Sequence, residues 1–112
     1  MKPQNLFEAI PTPLTEEWFQ VIARGSHAVV ERIVSQGHQS PPGFWYDQDW
    51  DEWVVVLEGS AGLEVWGQDE IVTLEKGDHL TLLAHVKHRV AWTAADRQTV
   101  WLAVHFKDNP AV

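Results

Sequence analysis

The chain has 112 residues, a mass of 12.8 kDa, no cysteine, seven tryptophans and a formal net charge of −8. A chain of this length makes one compact domain, 1–112, burying roughly 60–70% of its extended surface on folding. The missing cysteines exclude disulfides, iron–sulfur clusters, thiolate zinc sites and a cysteine nucleophile. Sixteen acidic residues against eight basic ones leave no basic stripe to neutralise phosphates, so neither nucleic acid nor an anionic membrane surface is an expected partner. Met1-Lys2-Pro3-Gln4-Asn5 lacks the apolar core of a secretory signal. The longest apolar run, Trp53–Leu57, is far short of the roughly 20 residues of a membrane span. A soluble, cytoplasmic protein is expected.

Residues 1–27 read as an N-terminal arm ending in a short helix. Pro3, Pro11 and Pro13 punctuate the arm, and Leu6, Phe7 and Ile10 are its docking side chains. Thr15 followed by Glu16 and Glu17 resembles a helix start, with a capping hydroxyl and acids at the positive dipole end. Trp18, Phe19 and Ile22 recur at helical spacing and Gly25 offers a stop, which predicts a helix over 15–23. From Ala28 the pattern changes to short β-like runs at 28–34, 52–57, 62–66, 70–74, 80–83, 88–93 and 99–106. Between them lie the proline-containing stretch Gly37–Gly43, then Gly59-Ser60-Ala61-Gly62, Gly67-Gln68-Asp69, Lys76-Gly77-Asp78 and Ala94-Ala95-Asp96. Short strands at this spacing indicate an all-β antiparallel sandwich or barrel over 28–106. No long helical segment sits between strands, which argues against a parallel βαβ fold.

Trp53, Trp66, Trp92 and Trp101 fall within β runs. They suit core or dimer-interface packing, with an aromatic wall around an apolar ligand as the functional alternative. A twofold homodimer burying part of this surface is expected of so small a barrel.

Two stretches resemble the signatures of the cupin superfamily, small jelly-roll barrels (double-stranded β-helices) that often hold one metal ion. The first family motif runs Gly-x5-His-x-His-x3–4-Glu-x6-Gly, and Glu52-Trp53-Val54-Val55-Val56-Leu57-Glu58-Gly59 reproduces its second half. The second runs Gly-x5-Pro-x-Gly-x2-His-x3-Asn. Gly77 and His88 match its opening glycine and its histidine at the right spacing, with Leu83 in place of the proline and His85 in place of the second glycine. The resemblance covers 28–106 and implies a single small cupin barrel with a site inside it.

The paired histidines of the first motif are absent. Counting back from Glu52 puts the pair at Tyr46 and Gln48, or at Trp45 and Asp47 if one more residue intervenes. Alternation along a strand places Tyr46, Gln48, Trp50, Glu52, Val54 and Val56 on one face. The other face carries Asp47, Asp49, Asp51, Trp53, Val55 and Leu57. The first set has the character of an inward face with a polar site at its mouth. The resemblance then implies Gln48, Glu52 and His88 as metal ligands, with Tyr46, Asp47, His85 and His105 as further site-lining residues. A carboxylate, an imidazole and an amide suit Mn²⁺, Fe²⁺, Ni²⁺ or Zn²⁺. The alternative is a metal-free pair, Glu52 and His88 bonded to each other in an empty barrel. His27, His38 and His79 receive no role, and Arg89 is assigned to surface acids.

Three functions follow from the resemblance. One is a metal-dependent cupin acting on a small organic molecule, with Glu52 or Tyr46 moving a proton. A second is a metal-free small-molecule binder, and a third a dimeric structural or regulatory cupin. Whether the chain is an enzyme stays open at this point, since one fold hosts all three.

Overall fold

A computed structural model describes residues 1–107. The last five residues of the domain expected over 1–112 lie outside the described part. Eight strands occur in chain order: β1 (Trp18–Arg24), β2 (Ala28–Ser35), β3 (Asp51–Glu58), β4 (Ser60–Val65), β5 (Val72–Glu75), β6 (His79–Leu82), β7 (His88–Thr93) and β8 (Thr99–Phe106). They form two antiparallel sheets, one ordered β1-β2-β8-β3-β6 and the other β5-β4-β7. The architecture is therefore an all-β sandwich. It differs from the expected barrel in not closing, because among the described residues no strand of one sheet pairs with a strand of the other.

The helix expected over 15–23 is instead strand β1, preceded by bends. Trp18, Phe19, Val21 and Ile22 are aromatic and β-branched residues that favour a pleated surface. Trp18, Phe19, Gln20 and Val21 pair in order with Val34, Ile33, Arg32 and Glu31 of β2. The acids before them, which suggested a helix dipole, have other duties: Glu17 accepts a hydrogen bond from the Ser35 hydroxyl on β2. Gly25 ends a hairpin and not a helix, its N–H donating to the Ala28 carbonyl at 2.8 Å. Also differing from the sequence reading, Ser60-Ala61-Gly62 belongs to β4, so Gly59 alone turns the chain between β3 and β4.

The arm is held by Arg32, which is buried on β2. Its guanidinium donates to the carbonyls of Leu6 at 2.7 Å and Glu8 at 2.8 Å, bonds the Gln20 side chain, and lies 4.8 Å from the Trp18 ring centroid. One buried charge thus fixes the arm and the pairing of β1, since leaving it unsolvated without these acceptors would be costly.

The core lies between the sheets. Val54 and Val56 of β3, Ala61, Leu63 and Val65 of β4, and Trp101 and Ala103 of β8 form one cluster with Leu74 and Leu82. Each larger side chain buried here contributes about 1.5–3 kcal/mol, so this apolar layer dominates the stability and the polar groups above it do not. Trp101 joins it with its ring buried and its indole N–H donating to the Ser35 hydroxyl at 3.2 Å.

Between β2 and β3 the chain makes no strand. Pro41 and Pro42 lack N–H groups, and the segment docks on β7 through a few bonds instead. The Ser40 N–H donates to the Val90 carbonyl at 2.9 Å, and Tyr46 and His88 exchange backbone bonds at 2.7 and 3.1 Å. This bridge brings a loop residue, Tyr46, against His88.

Candidate functional site

Four strands repeat one local pattern on the face turned to the other sheet. Glu52 precedes Val54 on β3, His88 precedes Val90 on β7, Glu31 precedes Ile33 on β2, and His105 follows Ala103 and Trp101 on β8. Register aligns the polar members, with Glu52 opposite His105. The sheets therefore enclose a cavity of about 250 Å³ that is polar at one end and apolar beyond. Its apolar wall includes Phe19, Ile33, Val54, Leu63, Leu82, Val90 and Trp101. Its polar lining is Glu17, Glu31, Tyr46, Gln48, Glu52, His88 and His105, and it contains no Lys or Arg.

Gln48, Glu52 and His88 meet at the centre of the polar end. The Gln48 amide nitrogen donates to Glu52 Oε1 at 2.9 Å and lies 3.4 Å from His88 Nε2. His88 Nδ1 lies 3.0 Å from the Val86 carbonyl, which only accepts, so Nδ1 carries a proton and Nε2 faces the cavity. His88 Nε2 and Glu52 Oε1 are 3.5 Å apart, and both side chains are buried. The Tyr46 ring stacks on the His88 ring with centroids 5.4 Å apart. His105 Nε2 pairs with Glu31 Oε1 at 3.5 Å, forming a second acid–imidazole couple across β2 and β8.

The sequence-derived set divides here. Tyr46, Gln48, Glu52, His88 and His105 all line the cavity. Asp47 and His85 do not: they bond each other at 2.8 Å on the outside, with Asp49 3.6 Å from the same imidazole. His85 holds a left-handed conformation, φ 64°, that turns it out of the path to β7. Arg89 lies 3.6 Å from Glu64 and donates to the Ser40 carbonyl. Glu17 and Glu31 were missed by the sequence reading. Alternation on β2 (Val29, Glu31, Ile33) and on β1 (Glu17, Phe19, Val21) was the available signal, hidden on β1 by the helix assignment.

Electrostatics separate the acids. Burial alone would raise the Glu52 carboxyl, but bonds from His88 and Gln48, with the nearby His105 and His88 charges, together hold it below the ordinary value of 4.5. Burial raises Glu17 above that value, only partly offset by the Ser35 hydroxyl and His38, with Glu31 adding repulsion. Burial also raises the Tyr46 phenol, helped by the charges of Glu17, Glu52 and Glu31. His105 is raised above 6.5 chiefly by its bond to Glu31 and by the Glu52 and Glu31 charges, against burial. The site thus offers an ionised acceptor, Glu52, beside a protonated phenol donor, Tyr46.

These directions fix the shape of stability against pH. The Glu52 contribution is present at neutrality and is lost as pH falls through its lowered folded value. That of His105 is full below 6.5 and is lost as pH rises through its raised folded value. The penalty of ionising Glu17 is relieved as pH falls through its raised value. Thermal melts are expected to peak between 4.5 and 6.5, with His105→Asn flattening the alkaline side. An alkaline side equally steep in that variant would contradict the Glu31–His105 couple.

A resident divalent metal in a catalytic site keeps about three protein donors converging on one point. Here two ionisable donors face each other, and Gln48 turns its amide N–H toward both. Among the described residues no group of three His, Cys, Asp or Glu is placed to hold a metal ion. Gln48 is the third member of the expected ligand set, and a 180° turn of its amide puts its oxygen in place of the nitrogen beside Glu52 and His88, so these three residues are the ones that would hold such an ion.

No protein-family model matches the chain, and no curated protein matches it. Solved structures do. A candidate mannose-6-phosphate isomerase from Ralstonia eutropha JMP134 is 46% identical with a TM-score of 0.91, over 96% of this chain and 100% of that one. An RmlC-like cupin protein from Desulfovibrio desulfuricans superposes with a TM-score of 0.71 at 19% identity, over 94% of this chain and 96% of that one. A cupin superfamily protein from Desulfitobacterium hafniense DCB-2 gives 0.69 at 17% identity, over 96% of this chain and 100% of that one.

Proposed function

We propose that this chain, which shares its fold with cupin proteins 17–19% identical to it, binds a small, neutral or cationic organic molecule in the cavity between its sheets. The observation that carries this reading is the cavity's lining: three carboxylates and two imidazoles at one end, an apolar wall at the other, and no Lys or Arg. A cavity of about 250 Å³ is at the small end of ligand sites. The apolar wall takes the body of the molecule, and Glu52, Gln48 and His88 orient its polar group. With Glu52 ionised and Tyr46 protonated, the pair can accept and donate a proton across a bound hydroxyl or amine.

The similar Ralstonia protein is named for a sugar phosphate. That class suits this cavity poorly. A phosphate monoester carries about −1.5 to −2 charges at neutral pH, and His88 and His105 already face Glu52 and Glu31. Binding of this kind does not require a divalent metal, which Gln48, Glu52 and His88 would hold with the Gln48 amide turned to present its oxygen.

The test is a ligand panel of one carbon skeleton carried by an amine, an alcohol, a carboxylate and a phosphate ester. Trp101, on the cavity wall, reports by fluorescence, with thermal shift in parallel and each run repeated after chelator treatment. Amines and alcohols should bind, with or without chelator. Tighter binding of the phosphate or carboxylate, or loss of all response on chelation, would overturn the proposal.

A further inference from the structure

We infer that a groove beside the cavity is a second subsite for the same ligand, one that holds an ammonium group over Trp50 beside Asp49. The inference rests on the small-molecule reading above and narrows its ligand to a short diamine, with a basic group at each end. The groove, about 380 Å³, is lined by Val29, Gln48, Asp49, Trp50 and His105. Gln48 and His105 line the cavity as well, so the two spaces adjoin at these side chains. The Gln48 amide donates to Glu52 at 2.9 Å, which places the inner acceptor next to that junction.

The lining of the groove suits an ammonium. It holds one carboxylate, Asp49, and no Lys or Arg, and the Asp49 side chain is 85% exposed and open to a ligand. An indole face attracts a cation that lies within about 6 Å of the ring centroid. This indole already does so, with Lys107 Nζ 5.2 Å from the Trp50 centroid. Trp50 precedes Glu52 by two residues and Lys107 follows His105 by two, while Glu52 and His105 are paired across β3 and β8. The ring and its cation therefore continue outward the two chain segments that carry the inner site.

Spacing sets the length of the ligand. Trp50 and Glu52 are two residues apart, and two residues of extended chain span about 7 Å, which a chain of about four to six carbons bridges. Its two ammonium groups then meet Glu52 inside and Asp49 outside, whereas a monoamine meets only one of them at a time. The apolar stem between the two ends passes Val29 on its way out.

Calorimetric titration of the full chain tests this with butanediamine and hexanediamine, each against the monoamine of equal length, butylamine or hexylamine. At least one diamine should bind about three- to thirtyfold tighter than its monoamine. Trp50→Leu changes no charge, so it should lower that ratio by about two- to fivefold and leave monoamine affinity unchanged. A ratio that survives Trp50→Leu would mean that a dication merely feels the net charge of −8, which overturns the inference. Should Trp50→Leu fail to fold, Asp49→Asn, at an exposed position, decides: it must lower the ratio as well. Monoamines that bind with no advantage to either diamine strike the outer subsite and leave the inner reading standing. Binding by no amine at all overturns both.

Discussion

Gly59→Ala should be among the most destabilising single substitutions in this molecule, costing about 3–5 kcal/mol. Gly59 makes the whole turn between β3 and β4 with φ +86°, a left-handed conformation that a side chain strains. Space compounds the strain. An added Cβ would lie 2.4 Å from Thr99 Oγ1, 2.6 Å from Thr99 Cα and 2.7 Å from the Gln98 carbonyl oxygen. Two of those atoms are backbone of the β8 end, which has nowhere to move because Thr99 is fully buried. The Thr99 hydroxyl also donates to the Ser60 carbonyl at 3.0 Å and accepts from the Ser60 N–H at 3.2 Å. The methyl would disrupt both bonds. Gly77 is the control: its φ is +90°, yet nothing lies within 4 Å of where its Cβ would be. Gly77→Ala should therefore cost only about 1 kcal/mol of conformational strain. Denaturant unfolding of the two variants separates conformation from crowding. Equal losses would show that the crowding at Gly59 is not felt.

The same two glycines explain what could be read before any coordinates. Each closes or opens a family signature, and each occupies a turn that only a glycine makes without strain, so spacing alone located them. The strands β2, β3, β7 and β8 were legible for a similar reason: their apolar residues alternate, and alternation on a pleated strand decides which face is buried. Counting back from Glu52 placed Tyr46 and Gln48 on its side, and the structure puts all three on the cavity. β1 was not legible because Trp18, Phe19 and Ile22 fit a helical period as well as a strand, over too few residues to decide. Only pairing with β2 settles it, and pairing is nonlocal information. The loss of β1 carried Glu17 with it. Glu31 was lost differently, as one acid in an apolar strand whose partner, His105, is 74 positions away in the chain. His85, expected to line the site from the turn before β7, does stand in that turn, but its left-handed backbone sets it against Asp47 and Asp49 instead.

Glu52→Ala should destabilise the fold by about 2–3 kcal/mol, although it removes a charge from an apolar interior. The two opposing effects are the desolvation of the carboxylate and the bonds it receives. Were desolvation the stronger, the folded state would favour the protonated acid and the pKa would rise. It falls, because the Gln48 and His88 bonds and the facing imidazole charges together exceed the cost of burial. The fold thus favours the ionised over the protonated form of Glu52 more than water does. Alanine also leaves the Gln48 amide without its 2.9 Å acceptor beside the buried His88. Glu52→Gln separates the contributions. It keeps an oxygen for Gln48 and fills the same volume, so it should cost about 1 kcal/mol at neutrality, while abolishing the acid side of the pH profile as fully as alanine does. Urea unfolding at pH 7 and at pH 4 measures both. An alanine variant more stable than the native chain would mean that Glu52 is kept at a net cost, as a binding group that the fold tolerates. In that case the bonds seen around it would not be its reason for being buried.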